Sequence, residues 1–231
     1  MLLSLITSGM SFREILIQIL LLVPVLLFSF SIHECAHAYV ADKMGDHTAK
    51  NFGRLTLNPL KHLDPIGTLG MLLVGVGWAK PVPINARYFK NPKKGMALSA
   101  LAGPLSNLIV AFLAVILQQL LIRLLPLIPY SETAQSVVDV VYTLFYITSW
   151  MNLSLCVFNL IPIPPFDGSR IAFAILPDRI YWGMMKYERY IMIGFLVLIY
   201  GLGRIGISPV AGITEALLNL LYKLTNWIQL I

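Results

Sequence analysis

Apolar residues in this chain fall in long runs, without the strict alternation of a half-buried strand or the single stripe of a surface helix. From Ile15 to Ile32 only Gln18 and two serines interrupt an apolar run of eighteen residues. Runs of this kind predict long helices at about Glu14 to Lys43, Met96 to Leu125 and Val137 to Ile161, and shorter ones at about Tyr190 to Leu202 and Ile207 to Ile228. A helix needs roughly 20 apolar residues to cross a bilayer, so 231 residues have room for about five or six spans. The expected fold class is an all-α polytopic membrane protein. Between the first two long runs lies RLTLNPLKHLDPIGTLGMLLVGVGWAKPVPIN, rich in Gly and Pro, whose apolar centre at Thr68 to Trp78 is too short to span. A short re-entrant or interfacial β-hairpin is expected there. An exposed strand edge between Gly67 and Asn85 would hold an extended chain by β-addition, and a plain interfacial loop is the other reading of that segment.

Composition agrees with the pattern, since 58% of residues are hydrophobic and only 12% charged. The whole chain, residues 1–231, is expected to be a single membrane-embedded domain. The first apolar segment follows no basic stretch and precedes no small-residue cleavage site, so it is expected to be retained. Cys35 and Cys156 lie in apolar stretches without C-x-x-C spacing and read as buried thiols. The formal charge of +6 changes meaning once its positions are traced. The loop from Ala41 to Gly95 holds Lys43, Lys50, Arg54, Lys61, Lys80, Arg87, Lys90, Lys93 and Lys94, and the loop from Pro164 to Arg189 holds Arg170, Arg179, Lys186 and Arg189. The loop from Pro126 to Ser136 holds none. This asymmetry places the first two loops in the cytoplasm and the N-terminus outside, and implies no nucleic-acid partner. Two spans then run parallel, and both C-terminal ends, Ile32 to Lys43 and Leu153 to Asp167, reach the cytoplasmic side.

The first of those ends carries His33, Glu34 and His37, an H-E-x-x-H sequence. On a helix the i, i+4 spacing sets both imidazoles on one face about a turn apart, where they can share a zinc ion with a glutamate beside them. If Lys43 marks the interface, a rise of about 1.5 Å per residue puts His37 roughly 9 Å and His33 roughly 15 Å below it. Ionisable groups at such depth cost on the order of 2.5 to 3.5 kcal/mol each, so three together call for a compensating interaction. Catalytic zinc generally takes three protein ligands. His47, His62, Asp64, Asp167 and Glu188 are the candidates for the third, and the parallel spans favour Asp167 in NLIPIPPFDGSRI. Its other reading is a helix cap for a short helix beginning near Ser169. Asn159 and Asn107 are amides in apolar spans, able to hold substrate backbone or an oxyanion, or to tie helices together. Gly103 joins them as a candidate substrate contact, although Ser99, Gly103 and Asn107 recur every four residues, a pattern of close helix packing.

Taken together, H-E-x-x-H near the end of an apolar helix and, about 125 residues later, Asn159, Pro162, Asp167 and Gly168 in an N-x-x-P-x-x-x-x-D-G element resemble the site-2 proteases, the intramembrane zinc metalloproteases. The likeness extends to GPLSN, Gly103 to Asn107, and covers about residues 14–176. It departs at Phe166, where the family usually has Leu, and in lacking the helix that many members carry before the H-E-x-x-H span. The resemblance implies a minimal form without PDZ or CBS domain, with helices at 185–231 following the catalytic core. It implies one Zn2+ held by His33, His37 and Asp167, with Glu34 as catalytic acid and base. It further implies transmembrane protein or peptide substrates, regulated intramembrane proteolysis, and a multi-pass protein of the prokaryotic cell (inner) membrane with its active site toward the cytoplasm. Two rival readings of the residues are a membrane-embedded zinc hydrolase of a non-peptide substrate and a metal or ion transporter. The second predicts paired interrupted helices in two related halves, which the sequence lacks.

Overall fold

The structure, a computed structural model, describes residues 9, 11–74 and 80–230. Helix α1, Phe12–Lys43, opens with a reciprocal capping box: Ser11 Oγ accepts from Glu14 N at 3.3 Å and Glu14 Oε2 accepts from Ser11 N at 2.8 Å. It runs on through Pro24 and ends at Met44 and Gly45, whose φ of +106° suits glycine. After a short helix α2, Thr48–Asn51, and a 3-10 turn at Pro59–Lys61 comes α3, Pro65–Val74. A second 3-10 turn, Ala86–Tyr88, leads to α4, Pro92–Leu124, capped by Asn91 Oδ1 on Lys94 N with Pro92 at the first helical position. A 3-10 turn, Leu125–Leu127, precedes α5, Glu132–Asn159, which starts with Ser131 Oγ accepting from Ala134 N at 3.1 Å. The chain ends in α6, Asp167–Phe173; α7, Asp178–Lys186; α8, Glu188–Arg204; α9, Pro209–Thr225; and α10, Trp227–Leu230.

Helix α4 is the hub, packed against α1, α5, α6, α9 and α10. Its buried face is made of small and polar residues, including Gly95, Ser99, Ala100, Gly103, Asn107, Ala111 and Ala114, whereas Leu105, Ile109, Phe112 and Leu113 face outward. That inversion is what a bilayer demands. Lipid solvates large apolar side chains as well as a core does, so helices associate through close backbone approach and interhelical hydrogen bonds. One apolar cluster, Ala111, Val115, Leu153, Leu218 and Leu221, seats α9 on α4 and α5. On the loop side Asp46, fully buried, accepts from Thr48 N and from Asn85 N at 2.6 Å, drawing the two ends of the intervening loop together.

Two expectations are corrected here. Among the described residues three helices, α1, α4 and α5, are long and apolar enough to cross a membrane, and α8 with α9 makes a fourth if that pair, bent by 75°, is one span. The expected five or six spans overcount because 32 and 33 residues are spent on α1 and α4, far more than a crossing needs. The protein is all-helical among the described residues, and no strand occurs among them, so the expected β-hairpin is not found there. Its leading part is helix α3, and residues 80–85 lie without helix or strand pairing. The rest of that segment, 75–79, lies outside the described residues. Thr68 to Val74 is an unbroken apolar stretch apart from Thr68 and Gly70, which a helix accommodates as readily as a strand. Of the two thiols, Cys156 is buried and Cys35 half-buried.

Candidate metal centre

Two elements that end side by side build the site. His33 and His37 lie one turn apart on α1, both buried, with their rings edge to face at a centroid distance of 4.5 Å. Asp167 is the first residue of α6, reached from the end of α5 through Pro162, Pro164 and Pro165, which cannot continue a helix. His33 Nε2 and His37 Nε2 stand 3.0 Å apart, and Asp167 Oδ2 lies 3.1 Å from each. The cap of α6 is Phe166, with no side-chain capping bond, so the Asp167 carboxylate is turned toward the imidazoles.

The protons on those rings can be placed from their other partners. His33 Nδ1 is 2.5 Å from Asn107 Oδ1, and His37 Nδ1 is 2.7 Å from the carbonyl oxygen of Ser99. Both partners are acceptors, so each Nδ1 carries the hydrogen and each neutral ring presents a bare Nε2 lone pair to the centre. Asp167 Oδ2 is accordingly buried with no hydrogen-bond donor. Three lone pairs at 3.0–3.1 Å with no proton among them repel one another unless a cation sits between. A tetrahedral ion with bonds of about 2.0 to 2.1 Å separates its ligand atoms by about 3.3 Å, close to what these three atoms show. Nitrogen, nitrogen and carboxylate oxygen are also a donor set that zinc accepts. Among the described residues these three form the one such group of His, Cys, Asp and Glu.

Around the centre, α4 comes unusually close. A Cβ built on Gly103 would fall within 3.0 Å of His37 Cε1 and Nε2 and of His33 Cε1. Glu34, half-buried, accepts a hydrogen bond from Val82 N at 3.1 Å, so the run 80–85, without helix or strand pairing, passes beside it. Asn107 is fully buried, with Oδ1 on His33 and Nδ2 donating to Asn152 Oδ1 at 2.8 Å. Asn159, on the last turn of α5, is half-buried and donates to Leu155 O at 3.0 Å. The other ligand candidates are engaged elsewhere. His47 pairs with Asp42 at 2.6 Å, buried His62 donates toward Thr56 O at 2.8 Å, and Asp64 Oδ1 accepts from Gly67 N at 2.8 Å. Glu188 opens α8. Sequence reasoning missed Val82 and Asn152, and read Ser99 only as close helix packing. Asn152 carries the same signal as Asn107 and Asn159, an amide within an apolar span.

Residues 125–201 match the profile of Peptidase family M50. The chain is 47% identical over 179 residues to YwhC of Bacillus subtilis, provisionally named a zinc metalloprotease, over 77% of this chain and 78% of that one. It is 31% identical over 150 residues to Rip2 of Mycolicibacterium smegmatis, which bears the same provisional name, over 62% of this chain and 52% of that one. A third relative is the zinc metalloprotease MJ0392 of Methanocaldococcus jannaschii, 31% identical over 163 residues, 70% of this chain and 36% of that one. The match therefore spans about half of Rip2 and a third of MJ0392. No solved structure matches the chain.

Proposed function

The chain belongs to peptidase family M50 and is an intramembrane zinc protease, and from that premise we propose that His33, His37 and Asp167 hold one zinc ion per chain while Glu34 carries protons for peptide-bond hydrolysis. The observation that carries the reading is the donor-free triangle of His33 Nε2, His37 Nε2 and Asp167 Oδ2. Bound zinc supplies Lewis acidity, polarising the scissile carbonyl and making water nucleophilic near neutral pH.

The chain's own residues do the rest. Glu34 follows His33 directly, so the helix that sets the ligand also sets the base. Its carboxylate, steadied by Val82 N–H, takes a proton from the attacking water and delivers it to the leaving amine. Asn159, eight residues before Asp167 at the end of α5, is assigned to the substrate, donating to its backbone or developing oxyanion. Gly103 and Asn107, expected as substrate contacts, are assigned instead to the imidazoles, Gly103 by leaving them room and Asn107 by accepting from His33. The substrate is a transmembrane protein segment. Its peptide bonds are sealed in helical hydrogen bonds until it is extended, and the run 80–85 beside Glu34 is where an extended chain would lie. The metalloprotease unit takes residues 14–176, braced by the helices at 185–231 through the Leu218 and Leu221 contacts with α4 and α5. The cell membrane is its setting, with the site toward the cytoplasm.

The test is to incubate detergent-purified protein with single-span membrane peptides, with and without a zinc chelator, beside Glu34→Gln. Cleavage should stop on chelation and return with added zinc. Glu34→Gln should keep zinc yet lose turnover by orders of magnitude. Chelator-resistant cleavage, or normal cleavage by Glu34→Gln, would overturn the reading.

A further inference from the structure

The two imidazoles are oriented in different ways. His37 donates to a backbone carbonyl, Ser99 O, which is an acceptor in every circumstance. His33 donates to a side-chain amide, Asn107, which presents oxygen in one orientation and nitrogen when turned by 180°. Turned over, Asn107 would offer Nδ2 to His33 Nδ1. That nitrogen would then have to accept, and the ring proton would move to Nε2, pointing at Asp167. Such a ring makes a His–Asp hydrogen bond and has no lone pair for a metal. The amide therefore has two settings, one competent for zinc and one not, and something must select between them.

We propose that Asn152 is that selector, a positioning residue that fixes the Asn107 amide and through it the zinc-binding tautomer of His33; the proposal rests on the zinc site assigned above. Asn152 Nδ2 donates to Thr148 O at 2.8 Å and to Ser29 Oγ at 2.8 Å, and Ser29 Oγ in turn donates to Val25 O at 2.7 Å. Thr148 O and Val25 O are backbone carbonyls, so neither end can reverse. A turned Asn152 would set its oxygen at hydrogen-bond distance from Thr148 O, two acceptors face to face with no proton between them. Its Oδ1 therefore faces Asn107, and only Nδ2 of Asn107 can answer, at 2.8 Å. Ser29 O, 3.4 Å from the same Nδ2, pulls the same way. Asn107 Oδ1 is left for His33. Ser29, Asn107 and Asn152 are all fully buried, so no solvent can relieve a wrong orientation. One residue comes from each of the three long apolar helices, α1, α4 and α5, so the tautomer is set only when all three are docked.

The test measures the zinc dissociation constant of the full chain in detergent by chelator competition, for wild type, Asn152→Leu and Asn152→Asp. Leucine fills similar volume but offers nothing to hold Asn107. Aspartate keeps an acceptor for Asn107 in either protonation state and, when protonated, a donor for Thr148 O as well. Outer-sphere partners of metal ligands are typically worth 10- to 100-fold in affinity. Zinc binding by Asn152→Leu should weaken about 10- to 100-fold, and Asn152→Asp should return to within about threefold of wild type. Thr214→Val, which removes the part-buried Ser154–Thr214 contact between α5 and α9, should lower the unfolding temperature and leave zinc affinity unchanged. If Asn152→Leu does not fold, Asn152→Ala takes its place. Wild-type affinity in the folded leucine or alanine variant would overturn the relay while leaving the zinc site standing. So would an aspartate variant as weak as the leucine one. A wild-type chain that binds no zinc would overturn the site and the relay together.

Discussion

Three lone pairs within 3.1 Å are unstable company, and the cost of gathering them at membrane depth has to be met by what they bind. Asp167 is where this can be measured most cleanly, because it answers to two readings. As a zinc ligand, its loss leaves two imidazoles, so Asp167→Ala should lose zinc and activity, and Asp167→Asn should suffer too, since a neutral amide is a poor zinc ligand. As a helix cap it would tolerate Asn, and even Ala would cost only about 0.5 to 2 kcal/mol of helix stability. Zinc per folded chain, read by elemental analysis, separates the two: a zinc-replete, active Asp167→Asn protein would remove Asp167 from the site. At this scale the sequence is informative where chemistry is local. The i, i+4 pair of His33 and His37 can be read from spacing alone, and Asp167 from its element. Asn152 could not be read, because its task exists only where α1, α4 and α5 meet and its partners lie 45 and 123 residues away.

At the scale of elements, α4 approaches the imidazoles closely at Gly103. Alanine is favoured over glycine in a helix by about 1 kcal/mol, so Gly103→Ala should leave α4 at least as helical as before. Its methyl group would nevertheless fall within 3.0 Å of both rings, and either ring would have to leave its place. The expected result is a folded protein that has lost zinc and cleavage together, read by metal content alongside circular dichroism. A Gly103→Ala chain with full zinc would show that α4 stands farther from α1 than described. The period-four recurrence of Ser99, Gly103 and Asn107 announced close packing, but not what was packed against it: Ser99 O and Asn107 Oδ1 each accept a hydrogen bond from an imidazole N–H. The three long helices were legible because unbroken apolar runs leave little choice of structure. The hairpin was not, because a ten-residue apolar segment, Pro65–Val74, fits helix and strand equally. The tail's two helices, expected at about Tyr190 to Leu202 and Ile207 to Ile228, are there as α8 and α9, but with 17 residues each and a break at Gly206, φ +78°, and Pro209 they make up at most one crossing together.

For the whole molecule, the arrangement of charge predicts which half of a substrate would be cut. Nine basic residues lie between Ala41 and Gly95, four between Pro164 and Arg189, and none between Pro126 and Ser136. Loops rich in lysine and arginine tend to stay in the cytoplasm, so the proposed topology puts the C-terminal ends of α1 and α5 on that side. The meeting of Asp167 with His33 and His37 fits this orientation, since it requires those two ends to lie together. Lys43 closes α1 with its ammonium over the Tyr39 ring, a pairing suited to the headgroup region. From there, six and ten residues of helix at about 1.5 Å each set His37 and His33 roughly 9 and 15 Å deep, within the nearer half of a hydrocarbon core about 30 Å thick. A transmembrane substrate of known orientation, reconstituted with this protein in vesicles, should therefore be cut between the middle of its span and its cytoplasmic end. Mass spectrometry of the products reads the bond directly. Cuts confined to the outer half would reverse the assigned topology while leaving the metal centre intact, because the triangle of ligands depends on how α1, α4 and α6 meet and not on which way they face.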